Sequence, residues 1–287
     1  MRIAWIGTGV MGKSMAANLK KNGHELILYN RTPEKATAAA QEMDAKAVST
    51  IKEAVSNAEA IFTIVGYPTD VESVIRGKDG VFAHAPKGCL IVDMTTSLPS
   101  LAVSLHKEAK EKGFRLLDAP VSGGDAGAKN ATLSIMVGGD KKDFDSALPL
   151  FECMGKNIVY MGEAGCGQHT KAANQIAVAG ATAAMTEAIH YSRKVGLDPE
   201  QMLKAIGAGA AGSWQLTNMA PRVLKEDFAP GFFVKHFIKD MKIIVQEMAE
   251  RDVKLNMLNA VLDLYEQFAE AGHADDGTQA LILHYTK

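Results

Sequence analysis

The strongest constraint on the fold lies in the first dozen residues. Gly7-Thr8-Gly9-Val10-Met11-Gly12 follows the apolar run Arg2–Ile6 and opens the helical pattern Ser14–Lys21. This is G-x-G-x-x-G at the junction of a strand and a helix. Gly7 permits the tight turn, Gly9 lets a pyrophosphate approach the backbone, and Gly12 allows close helix–sheet packing. The helix N-terminus supplies unsatisfied N–H donors for the anion. Gly7, Gly9, Val10, Met11 and Gly12 are therefore expected to hold a dinucleotide. Alone the motif is only a glycine-rich turn; its position in a strand–turn–helix unit gives it meaning.

The next strand, Glu25–Tyr29, runs into Asn30-Arg31-Thr32. NAD sites usually carry Asp or Glu about 20 residues after the loop, accepting from the ribose 2′-OH. The sequence offers no carboxylate there to repel a 2′-phosphate. Arg31 can fork onto such a phosphate, with Asn30, Thr32 and Lys35 alongside. The expected cofactor is NADP, with NAD less favoured.

Strands and helices continue to alternate. Candidate strands are Ala60–Val65, Cys89–Asp93 and Arg115–Ala119, and two more at Thr132–Val137 and Asn157–Met161 extend the same sheet. Alternation predicts a doubly wound, mainly parallel sheet with helices on both faces. After Gly162 the character changes. Thr170 to Val195 contains no Pro and is rich in Ala, which predicts one long helix ended by Gly196. Its apolar residues surround most of the circumference, so it should be buried on several sides. Beyond it the chain reads as helix and loop. The expected architecture is α/β: a Rossmann domain over residues 1–162, joined by the long helix to an all-α domain over 163–287 that carries substrate and dimer contacts.

Composition narrows the class. The 287 residues are 47% hydrophobic and 22% charged, ordinary for a soluble protein, and the net charge is -2. No basic field invites nucleic acid or an anionic membrane, so an anionic substrate needs a local cationic site. No stretch reaches the ~18 apolar residues of a membrane span. No signal-peptide pattern is expected at the N-terminus, and the three cysteines have no disulfide or C-x-x-C spacing, which points to the cytoplasm. No metal site is expected. Cys166 stands near the segment that carries the chemistry, with packing the simpler role.

Three further segments complete a pattern: Asp118–Leu133 (DAPVSGGDAGAKNATL), Gly165–Asn174 (GCGQHTKAAN) and Phe237–Lys242 (FIKDMK). With the glycine loop they run in order along essentially the whole chain. The sequence resembles the β-hydroxyacid dehydrogenase family, which includes 3-hydroxyisobutyrate dehydrogenases, tartronate semialdehyde reductases and glyoxylate/succinic semialdehyde reductases. The resemblance implies an NAD(P)-dependent oxidoreductase acting on a small carboxylic acid. The helical half has apolar surface to spare, so a homodimer or homotetramer is expected.

The resemblance also implies roles for individual residues. Lys171 is the expected catalytic lysine, and Asn174, three residues on, shares its helix face. An ammonium there can protonate a carbonyl oxygen as hydride arrives, and the amine can take a hydroxyl proton in the reverse direction. An ordinary lysine, with a pKa of ~10.4, is a poor base, so burial or a nearby cation is needed. Lys239 is that cation if the two domains meet as the resemblance implies, and it is also expected near the cofactor. Ser122, Gly123 and Gly124 resemble a substrate-carboxylate loop, where a hydroxyl and bare backbone amides can surround an anion. Val65 and Thr95, at strand ends, are expected beside the nicotinamide. Gln175 replaces the family's usual Asn, and Ala131 a common Gly. His169 and His236 are competing general bases, while Trp214, Phe232 and Phe233 are candidate pocket walls.

The sequence also bears on other readings. Imine reductases share the architecture but lack the lysine at the matching position. A phosphorylated sugar-acid substrate would want a longer helical domain. A catalytically silent NADP-binding sensor would tolerate loss of Lys171 or of the Ser-Gly-Gly loop.

Overall fold

The computed structural model describes residues 1–286. The chain forms two compact units, Met1–Lys171 and a second that begins at Ala172.

The first unit is built on nine strands: β1 (Arg2–Ile6), β2 (Glu25–Tyr29), β3 (Lys46–Ala47), β4 (Ala60–Thr63) and β5 (Leu90–Asp93), then β6 (Arg115–Asp118), β7 (Val121–Ser122), β8 (Leu133–Gly138) and β9 (Gly155–Gly162). Along the strands, alternate residues feed two separate cores. Ile3, Trp5, Leu26, Leu28, Phe62 and Val92 enter one, while Ala4, Ile6, Ile27, Ile61 and Ile91 enter the other. A strand buried on both faces must be apolar throughout, which is why these runs show no polar alternation. Trp5 stacks on Phe62 at 5.5 Å in the first core.

The strand order is β3-β2-β1-β4-β5-β6, all parallel, the Rossmann arrangement. The helices that cover it are α1 (Val10–Lys21), α2 (Pro33–Met43), α3 (Ile51–Val55), α4 (Pro68–Arg76), α5 (Val81–His84) and α6 (Pro99–Glu111), followed by α7 (Gly124–Asn130) and α8 (Lys141–Glu152). Past β6 the sheet stops being parallel: β8 runs antiparallel to β6 and β7, and β9 pairs parallel to β8.

Several expected boundaries shift, for physical reasons. The strand anticipated at Ala60–Val65 ends at Thr63, because the Val65 N–H leaves the ladder to bond the Thr95 hydroxyl. The strand expected from Cys89 begins at Leu90, and Arg115–Ala119 ends at Asp118, just before Pro120, which has no N–H to give. The last two strands are Leu133–Gly138 and Gly155–Gly162, not Thr132–Val137 and Asn157–Met161. β3 and β7 were not anticipated; two residues are too few to carry a periodicity.

The long helix, α9, runs Cys166–Lys194 and crosses from the first unit into the second. It starts four residues before the expected Thr170, so Gly167 lies inside it. Gly196 ends it at φ +77, with the Leu197 N–H reaching back to the Ser192 carbonyl. The second unit is helical. After α9 come α10 (Pro199–Gly207), α11 (Ala220–Leu224), α12 (Val234–Ala249) and α13 (Asn256–Phe268), with one isolated bridge between Phe233 and Gly277. Its main core gathers Ala179, Phe237, Met241, Ile244, Leu258 and Tyr265. The Tyr265 hydroxyl, fully buried there, donates to the Thr278 carbonyl at 2.7 Å. Among the described residues no helix is long and apolar enough to cross a membrane.

Candidate active site

Two of the three loop glycines are required by the protein itself. A Cβ on Gly7 (φ +104) would lie 2.0 Å from the Ile64 carbonyl oxygen, and one on Gly12 would lie 2.1 Å from that of Gly7. Gly9 differs: nothing lies within 4 Å of its missing Cβ, so the fold alone gives no reason for glycine. The open backbone there leaves room for a ligand to approach. The loop is pinned by Gly7 N–H to the Tyr29 carbonyl and by Thr8 N–H to Asn30 Oδ1, 3.0 Å. The Thr8 hydroxyl is buried without a hydrogen-bond partner among the described residues. Gly9 caps α1 without a side chain, and the first turn holds no acidic residue. Val10 is exposed and Met11 half-buried at that turn. Uncapped N–H donors, an orphaned hydroxyl and a bare backbone fit a dinucleotide pyrophosphate.

At the end of β2 one expectation needs correcting. The local sequence shows no carboxylate beside Arg31, yet the fold brings one from α4: Arg31 Nη1 donates to Asp70 Oδ1 at 2.6 Å. Asp70 lies thirty-nine residues away and is invisible to a local reading. Asn30 turns inward to hold Thr8 and, through Nδ2, the Thr32 carbonyl. Thr32 and Lys35 are exposed at the start of α2, and the Thr32 side chain makes no capping bond.

A buried polar network lies at the carboxyl ends of β4, β5 and β6. Thr63 Oγ1 donates to Asp93 Oδ1 at 2.8 Å, and the Thr95 N–H donates to the same oxygen at 3.1 Å. The Thr95 hydroxyl accepts the Val65 N–H at 3.0 Å. Gln168, in the first turn of α9, grips this loop with both ends of its amide. Its Oε1 accepts the Ser97 N–H at 2.9 Å, and its Nε2 donates to the Thr95 carbonyl at 2.7 Å. The start of α9 is in turn held by Asp118, whose two oxygens accept the N–H groups of Gly165 (2.8 Å) and Gln168 (2.9 Å). Burial pushes the Asp118 carboxyl up to about 6, against those two N–H donors and with a smaller push from the Asp93 charge. Gly167 must be glycine beside it, because a Cβ would lie 2.5–2.8 Å from the Met136 carbonyl, the Asp118 carbonyl and Asp118 Oδ2.

Lys171 follows Gln168 by one turn and is buried, 7% exposed. The competing base His169 lies on the exposed side of the same helix. Ser122, Gly123 and Gly124 are half-buried between β7 and α7; the glycines adopt φ +132 and +64, and nothing lies within 4 Å of the missing Cβ of Gly124. Ala131 closes α7 in the left-handed region at φ 54, so the loop keeps a glycine-like geometry at a cost of roughly 1–2 kcal/mol.

In the second unit Asn174 Nδ2 donates to Gln175 Oε1 (2.8 Å), and Gln175 Nε2 donates to Asp240 Oδ2 (2.6 Å). Asp240, 2% exposed, forms an ion pair with Lys239 at 2.9 Å. The longer amide of Gln175 therefore links the orientation of Asn174 to the Lys239–Asp240 pair. It also means that the Lys239 charge, expected to act on Lys171, is already countered by a carboxylate. Burial first, then the ammoniums of Lys239 and Lys235, hold the His236 imidazole below its ordinary range. Of the candidate pocket walls, Trp214 is more than half exposed, Phe232 packs on Phe237, and Phe233 is half-buried against His236. Cys166 sits half-buried at the first residue of α9. No group of His, Cys, Asp and Glu among the described residues could hold a metal.

Sequence reasoning assigned no role to Thr8, Asp70, Asp118 or Gln168. Asp118 and Gln168 stood inside the quoted segments, but their work is with partners 47 or more residues distant.

Comparison with known proteins bears on the same segments. Residues 2–162 match the family model for the NAD-binding domain of 6-phosphogluconate dehydrogenase, and residues 165–285 match that for the NAD-binding of NADP-dependent 3-hydroxyisobutyrate dehydrogenase. An uncharacterised oxidoreductase of Bacillus subtilis is 48% identical over 99% of both chains. The 2-hydroxy-3-oxopropionate reductase of Escherichia coli is 36% identical over 98% of this chain and 96% of its own. A structure of Mycobacterium tuberculosis 3-hydroxyisobutyrate dehydrogenase with L-serine superposes with a TM-score of 0.88 at 31% identity, covering 99% and 98% of the two chains.

Proposed function

This chain belongs to the β-hydroxyacid dehydrogenase family of NAD(P)-dependent oxidoreductases, and from that premise we propose that it moves hydride between NADP(H) and a short hydroxy acid or its semialdehyde or oxo acid. The bound nicotinamide supplies or accepts the hydride. Gly7–Gly12 and the Thr8 hydroxyl hold the pyrophosphate, Arg31 with Thr32 and Lys35 meets the 2′-phosphate, and Val65 and Thr95 flank the nicotinamide.

The observation that carries the reading is Lys171: a lysine withdrawn from water, one turn beyond a glutamine that clamps the Thr95–Ser97 loop. In reduction its ammonium gives a proton to the carbonyl oxygen; in oxidation its amine takes the hydroxyl proton. Ser122 and the amides of Gly123 and Gly124 receive the carboxylate, Asn174 orients the substrate oxygen, and Lys239, its charge balanced by Asp240, serves as a hydrogen-bond donor to substrate and cofactor. A 3-hydroxyisobutyrate-like acid is the leading substrate. Tartronate semialdehyde is the second reading, favoured by the Escherichia coli reductase; glyoxylate or succinic semialdehyde is a third. Residues 1–162 form the cofactor domain and residues 163–287 the substrate domain in this reading, a division supported by the break between the two family matches at residues 162 and 165. A cytoplasmic homodimer or homotetramer is part of the proposal, supported by exposed Tyr191, Val195, Leu197 and Trp214 in the helical unit.

The test is NADP reduction and NADPH oxidation across a panel of these acids, with Lys171→Ala beside the parent. Turnover on the best substrate should fall about 10²–10⁴-fold. The cofactor dissociation constant should stay within twofold. Turnover by Lys171→Ala close to that of the parent removes the lysine from catalysis, and silence of the parent on every acid favours an NADP-binding sensor.

A further inference from the structure

The pair Arg31–Asp70 presents an anion where the 2′-phosphate of NADP is proposed to bind. Its two halves are held very differently. The Arg31 side chain is 83% exposed and reaches Asp70 through one N–H, whereas the Asp70 side chain is 19% exposed. Asp70 lies in the first turn of α4, and its second oxygen accepts the Tyr67 N–H at 3.2 Å. The cation can move; the carboxylate is fixed by its own helix.

We propose that Asp70 sets the ratio of NADP to NAD binding by competing with the 2′-phosphate for Arg31. The inference rests on the reading that Arg31 meets that phosphate. NAD leaves Arg31 its existing anion, so nothing is lost when the ribose carries only a hydroxyl. NADP must either draw the guanidinium away from Asp70 or share it with a carboxylate of like charge close by. Both routes reduce the benefit of the phosphate without blocking it, because an exposed single-bond ion pair is weak and its charges are screened by solvent. Asp70 then acts as a brake on NADP preference, from α4 and not from the end of β2 where specificity is ordinarily read.

The experiment measures dissociation constants for NADP and NAD, by titration calorimetry at low salt, on the full chain, Asp70→Asn, Arg31→Ala and the double variant. Asparagine keeps an oxygen for the Tyr67 N–H, and Asp70→Ser is carried as a second variant should Asp70→Asn fold poorly. Asp70→Asn should tighten NADP by about three- to tenfold, the range of a like charge removed from a solvent-exposed site, and leave NAD within twofold. In the Arg31→Ala background the gain should fall to less than half of that on a logarithmic scale. An unchanged NADP-to-NAD ratio in Asp70→Asn, or weaker NADP binding, overturns the proposal while a selective NADP loss in Arg31→Ala keeps the 2′-phosphate reading. Equal losses of both cofactors in Arg31→Ala overturn that reading, and the proposal with it.

Discussion

Replacing Asp118 by Asn should change how stability depends on pH. The carboxyl is pushed from an ordinary value of 3.8 to about 6, chiefly by burial, with the amides of Gly165 and Gln168 opposing the rise. A carboxyl with a raised folded-state value binds its proton more tightly in the folded chain than in the unfolded one. Between about pH 4 and pH 6 the folded state therefore holds more protons, and stability falls as pH rises through that window. The shift of roughly two pH units corresponds to about 3 kcal/mol in full, of which about 2–3 kcal/mol is lost between pH 4 and pH 7. The quantity to measure is the difference between parent and Asp118→Asn, in which contributions from all other groups cancel. Unfolding followed by calorimetry and urea titration from pH 4 to pH 7.5 should show the parent's advantage shrinking by that amount. A difference independent of pH would refute the argument that a desolvated, ionised Asp118 holds the first turn of α9. Asparagine also turns one acceptor oxygen into a donor facing an amide N–H, so turnover should drop even where the variant is fully folded.

Two other perturbations probe the same corner. Gly167→Ala places a Cβ within 2.8 Å of three atoms, two of them backbone oxygens, and should cost about 1–3 kcal/mol of stability. By displacing the turn before Lys171 it should lower kcat by about tenfold or more while the NADPH dissociation constant stays within threefold, read by stopped-flow and fluorescence titration. Gln168→Leu strands the Ser97 N–H and the Thr95 carbonyl and should destabilise by about 2–4 kcal/mol in thermal unfolding.

Local features are legible in the sequence. Gly7-Thr8-Gly9-Val10-Met11-Gly12 after an apolar strand fixes a strand–turn–helix unit, because only glycine tolerates φ +104 with an oxygen 2.0 Å from the missing Cβ. The continuous apolar runs fix strands covered on both faces, since a half-exposed strand would alternate. The Pro-free, alanine-rich stretch around Lys171 and Asn174 fixes a long helix, and with it the sharing of one helical face by those two residues.

Tertiary structure decided which distant polar groups meet. Asp70 reaches Arg31 from another helix, Asp118 reaches back to the amides of Gly165 and Gln168, and Gln168 closes on Thr95 and Ser97 across seventy-one or more positions. The antiparallel entry of β8, and β3 and β7 of two residues each, were likewise settled by pairing partners. Apolar periodicity is written along the chain because each residue answers to one direction, inward or outward. A buried carboxylate or amide answers to a particular partner, and that partner is chosen only when the sheet order brings strand ends and helix starts together.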